Sequence, residues 1–508
     1  MGSGAVRAAV GRQVATSLAP VPPLDSVTAK QKPRVYITEK RTLVVLAILI
    51  VLAGAEFVWR GPARALRAEA GFNDFLSPYV QSQAWVRGSD PYSPESLVRL
   101  WPPGATRFQF LAKELADGSL TAKRGIPTAY PLSCFVLLSP VALLPWPVAN
   151  LAWVLINVSL FFAMLWALAS YTGLSRDRTS TLAFIAGSLA LAPFHTGISD
   201  GNPAVIATEL SILALWMAET DREIATGVLL ALSLGLKPQI SLCFWVYFLL
   251  RRRWRALAAA AAIFCLAMAI GMLRLHYSHV AWLPNYVADN QALLSRGILG
   301  DFRPLNPTRF GLLNTQLVLY PLVGTARLAN ALAFTMGAIL LVVWAWYAGR
   351  PGSQTNLLQL STLAVISLLP VYHRFHDAVL LVMPLCWYSA SFRSTRLYSK
   401  FGLLLFVPFL APGGSLLETL RDTGRIPSSI AANWFWNEFV MPHAVWCLLF
   451  LAVLLLWEMR RPLGSPNLHS SQPWPKFARA HPAAQIMPQS VAGTRVGEGS
   501  GGPVHRQP

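Results

Sequence analysis

The sequence has little charge, since only 13% of its 508 residues are Asp, Glu, Lys or Arg. Soluble globular chains of ordinary composition are about 25% charged, so this composition excludes an ordinary soluble enzyme. The apolar residues, 54% of the chain, come in long runs separated by short basic or proline-rich segments. Because about 20 apolar residues are needed to cross a bilayer, the composition predicts a polytopic membrane protein.

Cysteine is scarce, and the common phosphate-binding loops are missing. The sequence contains no P-loop, and outside the glycine-rich C-terminal tail it contains no GxGxxG pattern; these are the glycine-rich loops that hold nucleotides. The first apolar run begins only at Leu43, so we expect no cleavable signal peptide at the usual place. The cysteines show no paired spacing, which predicts small core residues rather than disulfides or a metal cluster: they are Cys134, Cys243, Cys265, Cys386 and Cys447. We expect neither a metal nor another cofactor.

The net charge of +19 comes from 42 Lys and Arg against 23 Asp and Glu. In a soluble protein such an excess would suggest nucleic-acid binding. Here the basic residues lie in short segments beside apolar runs, where cytoplasmic Lys and Arg set membrane orientation. We therefore expect no nucleic-acid partner and a cytoplasmic position for four clusters: Arg34/Lys40/Arg41, Arg251–Arg253 with Arg255, Arg393/Arg396/Lys400, and Arg460/Arg461.

The chain divides into one membrane domain and two tails. Residues 1–42 and 463–508 lack helical periodicity and are rich in small residues and proline, which predicts disordered cytoplasmic tails. Residues 43–462 predict an all-α transmembrane bundle with about 12 spans. The candidate spans are 43–59, 131–145, 149–171, 181–195, 203–218, 224–250, 256–275, 327–348, 355–372, 378–390, 401–411 and 439–458.

One span remains ambiguous. Residues 224–250 are either one helix kinked at Pro238 or a hairpin with Lys237 and Pro238 at its tip, and in the second case one crossing among 131–218 must be lost. Either count places three polar stretches outside, at 60–130, 276–326 and 412–438, with the His373–Asp377 turn on the same face. Short apolar segments are typical of helices that stop at the midplane around a site.

Asp74 is the first candidate for chemistry. It lies in the large first outer loop, before a stretch that we expect to lie along the membrane interface as an amphipathic helix. A carboxylate held there against aromatic residues would be partly desolvated, which raises its pKa towards that of a useful general base. The alternative is that Asp74 caps the helix that follows it, as Asp commonly does.

Several segments, in a fixed order around the apolar runs, form a further pattern. They place Asp, Tyr and Pro near the ends of apolar runs, and they include a Lys-Pro pair and a segment in which arginines surround a tryptophan. They are Asp74-Phe75 with Tyr79, Gly88-Ser89-Asp90-Pro91-Tyr92, Tyr130-Pro131-Leu132, Gly201-Asn202-Pro203, Gly235-Leu236-Lys237-Pro238, Arg252-Arg253-Trp254-Arg255 and Leu369–Asp377.

Together these segments resemble glycosyltransferase family 87. That family consists of integral-membrane enzymes of the GT-C superfamily, which transfer a sugar from a polyprenyl-phosphate carrier. The resemblance covers roughly residues 40–390. It departs from the family pattern at Asn202, where Gln is usual, and in the last segment, where two histidines leave the equivalent residue undecided.

The resemblance implies the function in outline. An inverting transfer would move a hexose, most plausibly mannose, from a polyprenyl-phosphate donor to a lipid or glycan acceptor. The site would face the extracytoplasmic side of the inner membrane, and Asp74 would be the general base. His376 and His373 are further catalytic candidates, since either could hydrogen-bond the base or the acceptor hydroxyl, and the alternative is a polar interfacial cap.

The leaving phosphate needs cations, and three are candidates. Lys237 lies within an apolar stretch, where a charge is costly and should face a cavity or an anion. The alternative is a lysine that snorkels from a helix end. Arg374 could add to the phosphate site. Arg303 is the third candidate, although solvated loop charge is its simpler interpretation.

The substrate cavity has four further candidates. Asn202 and Asp200 lie between two spans and could either line the cavity or lock helices together as a buried polar cluster. Tyr79, from the family-like segment, and Tyr286, an outer-loop aromatic residue, could contact a sugar. Most other aromatic residues should form interfacial belts.

A secondary transporter or flippase for a lipid-linked or small solute is the alternative function. An intramembrane lysine and broken helices suit a transporter. The missing inverted repeat and the long first outer loop with its aspartate favour the transferase. The position of Asp74 in the fold separates these two functions.

Overall fold

The structure is a computed structural model that describes residues 32–67, 74–102, 130–294, 300–306, 308–350, 355–390 and 397–460. The expected tails fall largely outside these ranges, as do Arg393, Arg396 and Arg461. The first helix begins at Lys32, so residues 32–42 of the expected tail are helical. Every regular element of the described chain is helical, apart from one isolated β-bridge between Leu312 and Arg374.

The first half of the chain forms helices of very unequal length. Several end at a proline or glycine, in keeping with the poor fit of both residues to a helix interior. In order they are α1 (Lys32–Arg60), α2 (Pro62–Ala65), α3 (Leu76–Val86), α4 (Pro94–Leu100), α5 (Leu132–Ala142), α6 (Trp146–Thr172), α7 (Arg178–Ala190), α8 (Ala192–Asp200), α9 (Pro203–Glu219), α10 (Glu223–Leu236), α11 (Pro238–Leu250) and α12 (Trp254–Tyr277).

The second half continues the same pattern. Its helices are α13 (Leu283–Leu293), α14 (Gln316–Val323), α15 (Ala326–Ala348), α16 (Asn356–Ser367), α17 (Val382–Ala390), α18 (Leu397–Leu404), α19 (Gly413–Asp422), α20 (Ser428–Ala431) and α21 (His443–Met459). A 3₁₀ turn over Phe375–Leu381 leads directly into α17. Further 3₁₀ turns are Leu174–Arg176, Arg309–Gly311 and Val407–Phe409, and Trp436–Val440 is a short π-helix.

Four segments of the described chain are long and apolar enough to cross a membrane: Lys40–Ala65, Trp146–Thr172, Trp254–Tyr277 and Ala326–Ala348. Two bent pairs, α7 with α8 and 400–409 with α19, raise that number to as many as six. The other apolar helices have 10–17 residues. The all-helical membrane fold is confirmed, whereas a count of about 12 spans is not.

Small residues allow the central helices to approach closely. A Cβ added to Gly227 of α10 would lie 2.6 Å from the Ala259 side chain of α12, and one added to Gly337 of α15 would lie 2.7 Å from Pro370. In lipid, where apolar contact alone gives helices little reason to associate, such close backbone packing is a main source of cohesion. α9 fills the centre of the bundle and is buried along most of its length.

Residues 223–250 form a hairpin, which answers the question that the sequence left open. The Arg253 side chain, just after α11, bonds Glu223 at the start of α10 at 2.6 Å. The neighbouring Arg251 bonds Gln359 near the start of α16 at 2.8 Å. Both ends of the hairpin therefore lie at one end of the bundle, which we call the basic face. Lys237, with extended backbone angles (φ −150°, ψ 90°), forms the tip, and Pro238 begins α11.

Other helices also stop near that tip. The bend of 44° between α7 and α8 lies at Leu191, just before Pro193. α8 ends at Gly201, which adopts the left-handed conformation (φ +65°) that favours glycine. Asn202 then caps α9. Irregular backbone at membrane depth is tolerated where it is enclosed by protein, and here these breaks surround one small region.

The hairpin makes a topological prediction. In a variant without its native cysteines, Arg222→Cys and Arg255→Cys should react with an impermeant maleimide from the same side of oriented vesicles, because the chain between them returns to its starting face. Glu95→Cys should react from the other side, since α12 runs between the basic face and the Gly88 turn. Labelling of positions 222 and 255 from opposite sides would show that 223–250 crosses the membrane once.

Candidate active site

Asp74 is held by a residue far away in sequence. Its backbone N–H donates to the Asp200 carbonyl, and its Oδ2 accepts a hydrogen bond of 2.7 Å from Asn202 Nδ2. The other carboxylate oxygen, Oδ1, makes no hydrogen bond within the described residues, and the residue is half-buried. Phe75, not Asp74, is the N-cap of α3, and it makes no side-chain cap. The capping interpretation of Asp74 is therefore wrong.

Aromatic stacking anchors the turn that carries Asp74. The Phe75 ring lies flat on the Trp153 ring of α6, with 4.3 Å between centroids and 4° between planes. The Trp153 indole N–H donates to the Gly201 carbonyl at 2.9 Å. One tryptophan thus ties the first loop to the 200–202 turn, so that Asp74 and Asn202 meet.

Asn202 connects three elements through one amide. Its Oδ1 accepts from the Ala204 N–H at 2.9 Å and from Lys237 Nζ at 3.0 Å, while its Nδ2 donates to Asp74. An amide that accepts from a cation becomes a better donor, because linked hydrogen bonds polarise one another. Asn202 therefore transmits the charge of Lys237 towards the carboxylate of Asp74.

Lys237 is buried at the hairpin tip, with 6% of its surface exposed. Its ammonium lies 2.5 Å from Asp377 Oδ1. The long side chain points into the protein rather than along it to the membrane surface, so the snorkelling alternative is wrong. Two of the three N–H groups of the ammonium are used by Asp377 and Asn202.

Asp377 is the acceptor at the other end of this network. Its Oδ2 accepts from His373 Nδ1 at 3.1 Å and from the Arg374 backbone N–H at 3.0 Å. His376 Nε2 lies 3.6 Å from its Oδ1. Because Asp377 is 1% exposed, these partners replace the water that an ionised carboxylate otherwise needs.

The two histidines differ in access. The His373 side chain is 0% exposed, and its Nε2 has no partner among the described residues. The His376 side chain is 11% exposed. His376 is therefore the more accessible of the two histidines, and His373 is enclosed against Asp377.

Arg374 lies on the same turn with its side chain directed towards the 308–312 loop. Its Nη2 donates to Thr308 Oγ1 at 3.4 Å, and it forms no ion pair with any described residue. Burial raises the pKa of Tyr372 to about 12, with Arg374 opposing and Asp377 and Asp74 adding to this shift. The charges of Arg374 and Asp74 therefore both influence the Tyr372 hydroxyl.

Other sequence candidates have different surroundings. Arg303 pairs with Asp301 at 2.7 Å, and no described contact joins it to the Asp74 network. The Tyr79 hydroxyl donates to the Leu144 carbonyl at 2.7 Å and the ring packs on Trp146, so Tyr79 joins α3 to the α5–α6 turn instead of lining a cavity. Asp200 takes part through its backbone carbonyl, which accepts from the Asp74 N–H. Tyr286 lies in a separate aromatic cluster.

Sequence reasoning missed the central role of Asp377. Its i,i+4 spacing from His373 and its position three residues after Arg374, whose backbone N–H it accepts, were visible signals, yet they did not reveal a lysine 140 residues away in sequence. Trp153 was also missed, because a tryptophan in an apolar run looks like a belt residue. Among the described residues, no group of three or more His, Cys, Asp or Glu side chains could hold a metal ion.

Comparison with known proteins gives a family match for most of the membrane domain. Residues 128–392, more than half of the chain, match the profile of glycosyltransferase family 87. Asp74 lies before the matched segment, whereas Asn202, Lys237 and Asp377 lie within it.

One relative is a polyprenol-phosphate-mannose-dependent alpha-(1-2)-phosphatidylinositol pentamannoside mannosyltransferase of Mycolicibacterium smegmatis. It is 25% identical over 197 residues, which are 38% of this chain and 43% of the relative. The match thus spans less than half of either protein. No solved structure matches this chain. From the profile match, which agrees with the sequence motifs, the chain belongs to glycosyltransferase family 87.

Proposed function

We propose that this protein transfers a hexose, which we assign as mannose, from a polyprenyl-phosphate donor to a lipid or glycan acceptor, with inversion. The observation that carries the proposal is the position of Asp74: one carboxylate oxygen is fixed by Asn202 and the other has no partner within the described chain. The fold would be of GT-C type. The site would face the extracytoplasmic side of the inner membrane, since it lies away from the basic face.

The reaction needs one base and one leaving group. The acceptor hydroxyl attacks the anomeric carbon while Asp74 Oδ1 takes its proton. The bond between that carbon and the phosphate oxygen breaks, and the electron pair leaves with the polyprenyl phosphate. A positioned base of this kind contributes about 10²–10⁴-fold to the rate, and the phosphate needs no second carboxylate to leave.

Arg374 is the residue that we assign to the phosphate. Its guanidinium is free of ion pairs among the described residues, and a guanidinium matches the geometry of a phosphate. His376, the more exposed histidine, is placed to contact the acceptor or the base. Lys237 serves mainly as a positioning residue, because Asp377 and Asn202 already bind its ammonium.

The transporter alternative loses its main support. An intramembrane lysine suggested a coupling site, but the ammonium of Lys237 is engaged in a buried pair. A lysine bound in this way fits a rigid scaffold that positions Asp74. A coupling residue of a transporter would instead be accessible from each side of the membrane in turn.

Asp74→Asn tests the base. Asn keeps the shape and can still accept from Asn202, but it cannot take a proton, so transfer should fall by about 10²–10⁴-fold with little change in thermal stability. The assay follows labelled mannose from polyprenyl-phosphate mannose into glycolipid with the purified protein in nanodiscs. Asp422→Asn, an exposed carboxylate beside Arg421, is the matched control. A wild-type rate for Asp74→Asn would remove Asp74 from the mechanism.

Arg374→Gln tests the phosphate contact. Loss of one charge-assisted hydrogen bond should cost about 1.5–3 kcal/mol, which is roughly one to two decades in the apparent affinity for the donor. The backbone N–H that binds Asp377 is unaffected by this change. Arg303→Gln is the control, because Arg303 pairs with Asp301 and should leave donor affinity unchanged. Equal losses in the two variants would point to a general charge effect instead.

Lys237→Met tests the positioning role. It leaves Asp377 buried without its counter-charge, which should lower the free energy of unfolding by about 3–5 kcal/mol. Lys237→Met combined with Asp377→Asn removes both charges and should recover most of that stability. Thermal unfolding of both variants in detergent measures the difference. If the single variant is as stable as the wild type and only donor affinity falls, Lys237 binds the phosphate directly.

A further inference from the structure

A cluster of aromatic and carboxyl side chains lies between α13 and the turn that follows α3. The side chain of Asn285 donates to Asp90 Oδ2 at 2.6 Å, and Asp90 Oδ1 accepts from the Tyr92 backbone N–H at 2.9 Å. These bonds fix α13 against the turn. We call this group, with Trp282, Tyr286 and Asp289, the α13 cluster.

Three rings form one side of the α13 cluster. Tyr92 and Tyr286 have centroids 5.0 Å apart, and Trp282 lies 6.1 Å from Tyr92 and 6.0 Å from Tyr286. Tyr92 is buried, whereas Trp282 and Tyr286 are half-buried. The Trp282 indole N–H and the Tyr286 hydroxyl make no hydrogen bond within the described residues. Two polar aromatic side chains are thus accessible and have unused hydrogen-bonding groups.

Asp289 gives the cluster an unused polar group. It is 1% exposed, and its Oδ2 has neither solvent nor a hydrogen-bond partner in the described chain. Burial, and then the charge of Asp90, raises its pKa to about 8, so at neutral pH the carboxyl is mostly protonated. A neutral carboxyl offers one O–H donor and one carbonyl acceptor. A buried polar group without a partner is costly and calls for an explanation.

The α13 cluster is connected to the proposed active site. The Tyr92 hydroxyl donates to the Tyr130 carbonyl at 2.9 Å. Burial, and then the charge of Asp74, raises the pKa of Tyr130, which places the Tyr130 ring within the field of the proposed base. The Tyr92–Tyr130 hydrogen bond therefore links the cluster to a residue that the charge of Asp74 influences, and no described contact joins the cluster to Arg374.

We propose that the α13 cluster binds a pyranose ring of a sugar-bearing acceptor, an inference that rests on the proposed transfer reaction. The C–H face of a pyranose is apolar and packs on the rings of Trp282 and Tyr286, much as aromatic rings pack on other apolar groups. Its hydroxyls, each both donor and acceptor, pair with Asp289 and the Tyr286 hydroxyl. The acceptor must approach the base, and the Tyr92–Tyr130 hydrogen bond links the cluster to a tyrosine that lies within the electrostatic influence of Asp74.

The inference predicts that the acceptor already carries a sugar. Binding is measured without a donor, by thermophoresis of the protein in nanodiscs, with phosphatidylinositol dimannoside and diglucosyl diacylglycerol as probes and phosphatidylinositol as the sugar-free reference. At least one glycosylated probe should bind about tenfold more tightly than the reference. Trp282→Ala and Asp289→Leu should each remove most of this preference, whereas Asp289→Asn, which retains a donor and an acceptor, should keep it.

Tyr277→Ala is the matched control, since Tyr277 is an exposed aromatic residue at the end of α12 outside the cluster. It should leave binding unchanged. In the transfer assay, Trp282→Ala should raise the KM for the acceptor by about tenfold, with the KM for the donor and the release of mannose to water unaltered.

Two results would overturn the inference: equal binding of glycosylated and sugar-free lipids, or cluster variants that bind the glycosylated probes like the wild type. Failure of the proposed function is a different result. In that case the wild type neither transfers nor hydrolyses the donor, while sugar-dependent binding is still measured in the donor-free experiment.

Discussion

The buried ion pair between Lys237 and Asp377 is the interaction on which the rest of the site depends. Each charge alone would be strongly unfavourable in the interior of a membrane protein. Together they hold the hairpin tip of α10 and α11 against the 3₁₀ turn that precedes α17. The remaining donors and acceptors of the pair then position their neighbours: Lys237 binds Asn202, which binds Asp74, and Asp377 binds His373.

Broken helices make this network possible. A continuous helix satisfies its own backbone and presents only side chains. Here the helices that stop at Lys237 and Gly201, and the 3₁₀ turn that begins at Phe375, bring turns into the bundle. The backbone groups that lack a helical partner form hydrogen bonds with nearby side chains: the Trp153 indole donates to the Gly201 carbonyl, and Asp377 accepts from the Arg374 N–H. The cost of irregular backbone is thus offset within the same bonds that shape the site.

The site also separates rigid from accessible groups. His373, Asp377 and Lys237 are enclosed and fix geometry, while Asp74 and Arg374 remain partly open. This division suits a transfer reaction, because the base must stay in place while acceptor and donor exchange. The α13 cluster is joined to Tyr130 by the Tyr92 hydroxyl, so that aromatic and carboxyl groups continue from Tyr130 to Asp90.

The sequence by itself determined the membrane class, the all-helical fold, the family and most of the residues that the structure brings together around Asp74. Composition and the order of local motifs carry that information. Bilayer thickness sets the length of the apolar runs, and proline and glycine end helices through their effect on the neighbouring backbone. Only the tertiary structure decided that 223–250 is a hairpin, that Asp74 is no helix cap, and that Lys237 meets a carboxylate. Asp74 and Asn202 are 128 positions apart in sequence, and Lys237 and Asp377 are 140 positions apart. No local pattern specifies which distant partner a buried polar group will find.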